Sequence, residues 1–156
     1  MAVLRRRFGE GVRALRDVTL TQVDQVAGEM GDTVYRRARH VVTENDRVPQ
    51  AAEALGRADF RTFGFLMNES HRSLRNDFQV SCPEVDTLVE LAQRHPGVHG
   101  SRMTGGGFGG CTVTLVEPTS ADALADHLVR EYRRQTNLTA ACFPVEPSDG
   151  AGPVSA

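Results

Sequence analysis

Five glycines in six positions, Gly105-Gly106-Gly107-Phe108-Gly109-Gly110, stand between two short segments whose residues alternate, and no other feature limits the fold as tightly. Upstream, Val98 to about Met103 reads as a strand. Downstream, Cys111 to Val116 reads as a second, with Val113 and Leu115 on one face and Thr112, Thr114 and Val116 on the other. The apolar pair Val113 and Leu115 is expected on the helix-covered side, because a one-residue slip would expose both. The glycine run formally satisfies G-x-G-x-x-G, but a dinucleotide fingerprint requires a helix after it and here a strand follows. A P-loop is excluded as well, since Cys111 stands where lysine is required. Crowding by strands on both sides argues against a free linker. What remains is a β-loop-β turn whose glycines take positive φ, admit a close neighbour and expose N–H groups that can form an anion-binding nest.

The sequence around this turn is helical. Val3 to Leu15 has helical composition, and about Thr21 to Met30 is amphipathic, with Gly31-Asp32 as a stop followed by an N-cap. Val34, Ala38, Val41, Val42, Asn45, Val48, Ala52 and Leu55 then recur at three- and four-residue intervals along one long helix, with a kink or break expected at Pro49. Asp59 can cap the next helix, in which Phe60, Phe63, Met67 and Leu74 keep the spacing. Ser81-Cys82-Pro83-Glu84 has the form of a capping box ahead of a helix over about 83–94, closed by His95-Pro96-Gly97. A helix over about 120–135 and a last strand over about 139–145 precede a polar tail from about residue 147. A run of helices, then β-loop-β, helix and β, describes one α+β domain over residues 1–156, with helices packed on an antiparallel sheet.

Composition removes several functions. At 156 residues, 40% apolar and net charge −2, the chain has the makeup of a globular domain with a buried core, and polyanion or nucleic-acid binding is not implied. No apolar run approaches the roughly 18 residues of a membrane span. Cys82, Cys111 and Cys142 are odd in number and far apart, which argues against a disulfide framework or structural zinc and suits a reducing, cytoplasmic setting; Cys82 and Cys111 read as small buried residues. All 18 basic residues are arginine, so a Walker A lysine, a Schiff-base lysine and a protein-kinase lysine are all absent from this sequence.

Ser101-Arg102-Met103-Thr104 followed by the glycine run and Cys111-Thr112-Val113 closely resembles the third motif of the GHMP small-molecule kinases, in the form found in galactokinases. Arg36-Arg37-Ala38-Arg39-His40-Val41-Val42-Thr43-Glu44, the stretch from Phe63 to Asp77, Val80-Ser81-Cys82-Pro83-Glu84-Val85-Asp86 and Asp149-Gly150-Ala151 resemble further segments of that family, so the likeness covers roughly Arg5 to Ala151. The resemblance implies the C-terminal domain of a two-domain enzyme, a ferredoxin-like arrangement whose first strand is missing from this chain. It implies transfer of the γ-phosphate of ATP, with Mg²⁺, to the C1 hydroxyl of α-D-galactose. In that family the catalytic groups and the ATP and sugar sites belong to an N-terminal domain, so no catalytic residue is expected in this chain, no metal ligand is assigned, and the chain alone is expected to be inactive. An open sheet edge and a tendency to associate are expected too.

Individual residues carry two readings each. Gly105, Gly106 and Gly107, with Thr104, Phe108 and Gly109, either shape a phosphate site facing the cleft or only permit a tight turn. Ser101 and Thr104 offer hydroxyls near sugar or phosphate, or satisfy local backbone. Arg102 faces phosphate or is solvated. His71 and Glu69, two apart on a helix, point in different directions, so His71 reads as a capping or cleft-wall residue rather than a base; Asp77 and Asp86 are the acidic residues to examine if this chain itself turns out to be active. Two functional alternatives to a galactokinase half are a sugar-sensing relative without efficient catalysis and a stand-alone binding or dimerisation module.

Overall fold

A computed structural model describes residues 1–146. The helices are α1 (Ala2–Phe8), α2 (Leu20–Gln25), α3 (Ala27–Met30), α4 (Asp32–Gly56), α5 (Phe60–Ser73), α6 (Pro83–Gln93) and α7 (Ala121–Thr136), and strands β1 (Val98–Thr104) and β2 (Cys111–Val116) lie between α6 and α7. The strands pair antiparallel, with Ser101 opposite Thr114 and Met103 opposite Thr112, and His99 is an extra residue that shifts the register next to Gly100. Helices on an antiparallel sheet are therefore present as expected. Two apolar clusters hold them. Leu4, Val12, Val18, Val23 and Val26 pack on Ala38 and Val42 of α4. Leu91, Ala92, Leu124, Leu128 and Tyr132 join α6 to α7 beneath Val98 and Val116.

Several sequence expectations are corrected. The helix from Val3 ends at Phe8, and a single 3-10 turn, Leu15–Asp17, follows the glycine-interrupted stretch. Asp32 is not an N-cap; it opens α4 and pairs with Arg36 at 2.8 Å. Helix α4 runs unbroken through Pro49. The carbonyl that proline leaves unbonded belongs to Asn45, and both residues are exposed, so water can satisfy it. Cys82 rather than Ser81 is the N-cap of α6, without a side-chain cap bond, because the Ser81 hydroxyl is committed to Asp86 at 2.6 Å. By contrast Asp59 does cap α5, accepting from Thr62 N–H at 3.0 Å.

The expected strand at 139–145 is absent: through residue 146 the chain there is irregular, with Phe143 and Val145 each more than 70% exposed. Pro144 removes a ladder donor from that run, and the alternation of Ala141, Phe143 and Val145 has no apolar surface to meet. The expected burial of Val113 on β2 is not found either, while Leu115 is half-buried, as are Thr112 and Thr114. Cross-strand partners share a face, so fully buried Ser101 and Met103 place Thr112 and Thr114 on the covered side. Val113 is 39% exposed. The buried Ser101 hydroxyl is tolerated there because Ser101 Oγ and Thr114 Oγ1 satisfy each other at 2.8 Å. Cys111 shares the outer face with Val113 and is exposed, and Cys82 is half-buried, so neither is the buried cysteine expected. Among the described residues, β2 has no strand at its outer edge. The polar tail and Asp149-Gly150-Ala151 lie outside the described residues.

Helix α5 lies along the outer edge of β1. At Gly64 a Cβ would collide with the backbone of His99, and at Gly100 a Cβ would collide with the backbone of Gly64. No side chain can swing away to relieve either contact. Gly64→Ala is therefore expected to destabilise the chain by about 3 kcal/mol or more, by forcing α5 off the strand. Equilibrium urea unfolding checks this, and a midpoint unchanged from the parent chain would refute the contact.

Candidate functional site

The glycine loop leaves β1 at Thr104 and returns at Cys111. Its φ angles are positive at Gly105 (89°), Gly107 (84°), Phe108 (60°), Gly109 (136°) and Gly110 (103°). A run of positive-φ residues is the kind of backbone that can form an anion-binding nest. Within the loop, Phe108 N–H donates to the Val80 carbonyl at 2.6 Å. At the same place a Cβ on Gly107 would sit 2.8 Å from the Val80 oxygen. Gly106 has no such constraint. It has no neighbour within 4 Å in its Cβ direction and no positive φ, so only a group arriving from outside this chain would object to a side chain there. Phe108 projects from the loop, 75% exposed.

The remaining candidates separate into those near the loop surface and those inside. Thr104 is exposed at the strand end, with Gly105, Gly106 and Phe108, while Gly109 is half-buried. Arg102 is half-buried and its Nε donates to the Met103 carbonyl at 3.1 Å. Ser101 is fully buried with its hydroxyl engaged by Thr114, turned away from the loop surface. His71 is 3% exposed. Its Nδ1 accepts the Met103 backbone N–H at 3.2 Å, two residues before the loop begins. Its Nε2 lies 3.1 Å from Asp86 Oδ1, which also accepts the Ser81 hydroxyl, but off the line of a good hydrogen bond.

Residues missed by sequence reasoning complete this edge. Asn68 Oδ1 accepts Ser101 N–H at 2.9 Å, and Gln93 Nε2 donates to Asn68 Oδ1 at 2.8 Å and to the Ser101 carbonyl at 3.3 Å. The available signal was the i, i+4, i+7 spacing of Gly64, Asn68 and His71, which puts all three on one helical face. Asp77 lies elsewhere, beside α4. His40 Nδ1 donates to Ser73 Oγ at 3.0 Å, Ser73 Oγ donates to Asp77 Oδ2 at 2.8 Å, and Arg39 pairs with the same oxygen at 2.5 Å.

Two clefts, of about 240 Å³ and 290 Å³, lie over α5, the first shared with α6 and the second with α4. Neither is bordered by the glycine loop. Their arginines are matched by carboxylates, Arg72 by Glu69, Arg75 by Glu90, Arg39 by Asp77 and Arg47 by Glu44, so neither offers spare positive charge to an anion. Among the described residues no group of three or more His, Cys, Asp or Glu is arranged to hold a metal ion. No helix there is long and apolar enough to cross a membrane.

Burial keeps both internal imidazoles neutral. For His71, desolvation pulls the pKa below the ordinary 6.5 against the opposing pull of Asp86, and for His40 desolvation does the same against Glu44. The unfolded chain takes up protons near 6.5 while the folded chain resists them, so folding stability is full above that value and is lost as pH falls through it. The urea midpoint should therefore drop between pH 7.5 and 5.5, above the carboxylate range; a flat profile would contradict burial of these rings. At the loop, Gly106→Ala should change stability by no more than about 0.5 kcal/mol. Gly107→Ala should cost about 1–3 kcal/mol, for positive φ and for crowding Val80. Unfolding of the two variants side by side checks the contrast, and equal costs would refute it.

The family model described as "GHMP kinases C terminal" matches residues 51–134, more than half of the chain. Among curated relatives, the Bos taurus galactokinase is 50% identical over 154 residues, covering 95% of this chain and 38% of that protein. The Homo sapiens galactokinase is 51% identical over 141 residues, covering 90% and 35%. The solved structure of Lactococcus lactis galactokinase complexed with galactose superposes with a TM-score of 0.83 at 36% identity, over 90% of this chain and 36% of that one. The chain thus spans less than two-fifths of the length of these relatives. With the loop of the third motif built between β1 and β2 and the helices placed as in the solved relative, the chain belongs to the GHMP kinase family, as the C-terminal part of such a kinase.

Proposed function

We propose that this chain is the C-terminal domain of a galactokinase and that the loop Thr104–Gly109 closes one side of its phosphate site. The carrying observation is the 50% identity to bovine galactokinase along 95% of the chain. Loop geometry supports it: a run of positive-φ residues can present N–H groups to an anion, and the unobstructed space at Gly106 suits close approach by another group. The reaction would move the γ-phosphoryl group of ATP to the C1 hydroxyl of galactose. Phosphoryl transfer depends chiefly on positioning and on stabilising charge over the equatorial oxygens, and backbone N–H groups supply such stabilisation without a proton transfer. Magnesium neutralises phosphate charge in reactions of this class. The described residues offer it no ligand cluster. Proton acceptance from the sugar and in-line alignment fall to an N-terminal partner domain. Free, well-separated cysteines are in keeping with a cytoplasmic setting.

The test grafts this chain onto bovine galactokinase in place of the segment it matches and follows galactose-dependent ADP release. The expected outcome is turnover by the chimera and none by this chain alone. Gly106→Val in the chimera should lower kcat by about a hundredfold or more while thermal stability holds, since a lost positioning or charge-stabilising contact costs that much. A soluble, galactose-binding chimera without turnover, or turnover by the isolated chain, would overturn the proposal.

A further inference from the structure

The glycine loop hangs from two points, and both lead back to one short stretch of chain. On the strand side, Met103 N–H is held by His71 Nδ1. At the loop itself, Phe108 N–H is held by the Val80 carbonyl. Next to Val80, the Ser81 hydroxyl binds Asp86, and Asp86 stands against His71 Nε2. Resting on the reading of this loop as a phosphate-site loop, we propose that His71, with the Asp86 carboxylate beside its Nε2, is the positioning residue that sets the loop. Its neutral ring holds the strand end from which the loop springs, and uptake of a proton releases it.

The chemistry is that of the two ring nitrogens. Met103 N–H can only donate, so Nδ1 must be an acceptor, and the proton of a neutral ring then sits on Nε2, facing the Asp86 carboxylate. Protonating Nδ1 sets N–H against N–H. The strand loses that anchor, and in a buried setting an unpartnered Met103 N–H is costly. The charged groups facing the ring are Asp86 from α6, Arg75 from the turn beyond α5 and Arg102 from β1. Asp86 favours the proton and the two arginines oppose it. Arg75 is itself paired with Glu90, which moderates its influence. Burial outweighs Asp86, so the ring is neutral at neutral pH and the loop is anchored there.

A histidine that merely fills space would be replaceable by any side chain of similar volume. A positioning histidine needs an acceptor at the Nδ1 position and nothing else titratable. His71→Asn supplies an amide oxygen there and cannot take up a proton in this range; His71→Leu keeps the bulk and removes the acceptor. The experiment is NMR on this chain, reading the imidazole ¹⁵N shifts of His71 and the amide protection factors of Met103 and Gly105 to Phe108 at pH 7.5 and 5.0. In the parent chain the shifts should show an unprotonated Nδ1 at pH 7.5. Met103 protection should fall about tenfold as the ring titrates, the equivalent of one buried hydrogen bond. His71→Asn should keep protection at both pH values, and His71→Leu should lack it at both. A Leu variant as protected as the parent, or an Asn variant that loses protection with the parent's pH dependence, overturns the proposal. Should the Leu variant not fold, the Asn variant and the ¹⁵N shifts decide alone. An inactive chimera would sink the galactokinase reading without touching these signals, whereas failure of these signals sinks the positioning role even if the chimera turns over.

Discussion

A helix and a strand ascend at different rates, and the fold depends on how α5 and β1 reconcile them. Gly64 to His71 is seven helical steps, about 10 Å at 1.5 Å each, and Gly100 to Met103 is three strand steps, about 10 Å at 3.3 Å each. Matching lengths let one helical face meet successive outward-facing groups of the strand. Gly64 brings the two backbones together at His99 and Gly100, Asn68 takes the Ser101 N–H, and His71 takes the Met103 N–H. The outer edge of β1 is thus satisfied by side chains where a third strand would otherwise sit, which also blunts an edge that would template association. The contact at Gly64 sets the distance, and the two polar residues set the register.

Around that seam the other elements are arranged by buried polar groups as much as by apolar ones. Between α4 and the π turn Leu74–Phe78 that follows α5, His40 stacks on Phe78 at 4.5 Å between ring centres, and the relay His40–Ser73–Asp77–Arg39 leaves each buried partner satisfied. Ser70 donates to Glu44 at 2.7 Å. Each such bond adds only about 1 kcal/mol net, but breaking one strands a buried partner at greater cost. The network therefore fixes the rotation of α5 about its own axis. One face is committed to α4, and the opposite face, with Asn68 and His71, is committed to β1. The loop position follows from that rotation.

Legibility in the sequence tracked how local the deciding physics was. The existence of helices α4 and α5, the Asp59 cap and the limits of β1 and β2 depend on neighbours a few residues away and are found where expected. The apolar stripe read along α4 is not its buried face, however, since Val34, Val48 and Leu55 are exposed and only Ala38 and Val42 of that stripe are buried. The capping box at Ser81 was a local pattern overridden by a stronger non-local one, because a carboxylate at Asp86 accepts the Ser81 hydroxyl. The face of β2 followed the same logic. Val113 and Leu115 looked like the buried pair by hydropathy, yet the opposing strand placed Ser101 and Met103 inside, and Thr112 and Thr114 had to follow. The alternation at Ala141, Phe143 and Val145 had the period of a strand without an edge to pair with. At the candidate site, the glycine run was conspicuous, whereas Val80, Asn68 and Gln93 carry no chemical signature and matter only through what they touch.

By itself, the sequence determined the central helices, the two paired strands and the loop, though not the strand expected at 139–145. Period-3.6 and period-2 patterns select helix and strand through backbone geometry, and five glycines in six positions demand a backbone that side chains would forbid. It also carried the family likeness, since ordered matches along nearly the whole chain need no coordinates. Tertiary structure alone decided which face of the sheet is covered, which glycines are required by their neighbours and which are free, and that His71, which does border the cleft between α5 and α6, is also a backbone acceptor inside the fold. Those outcomes rest on contacts between residues such as His71 and Met103, 32 positions apart. The strength of such contacts depends on burial and on donor–acceptor alignment, and both arise only when the chain has folded.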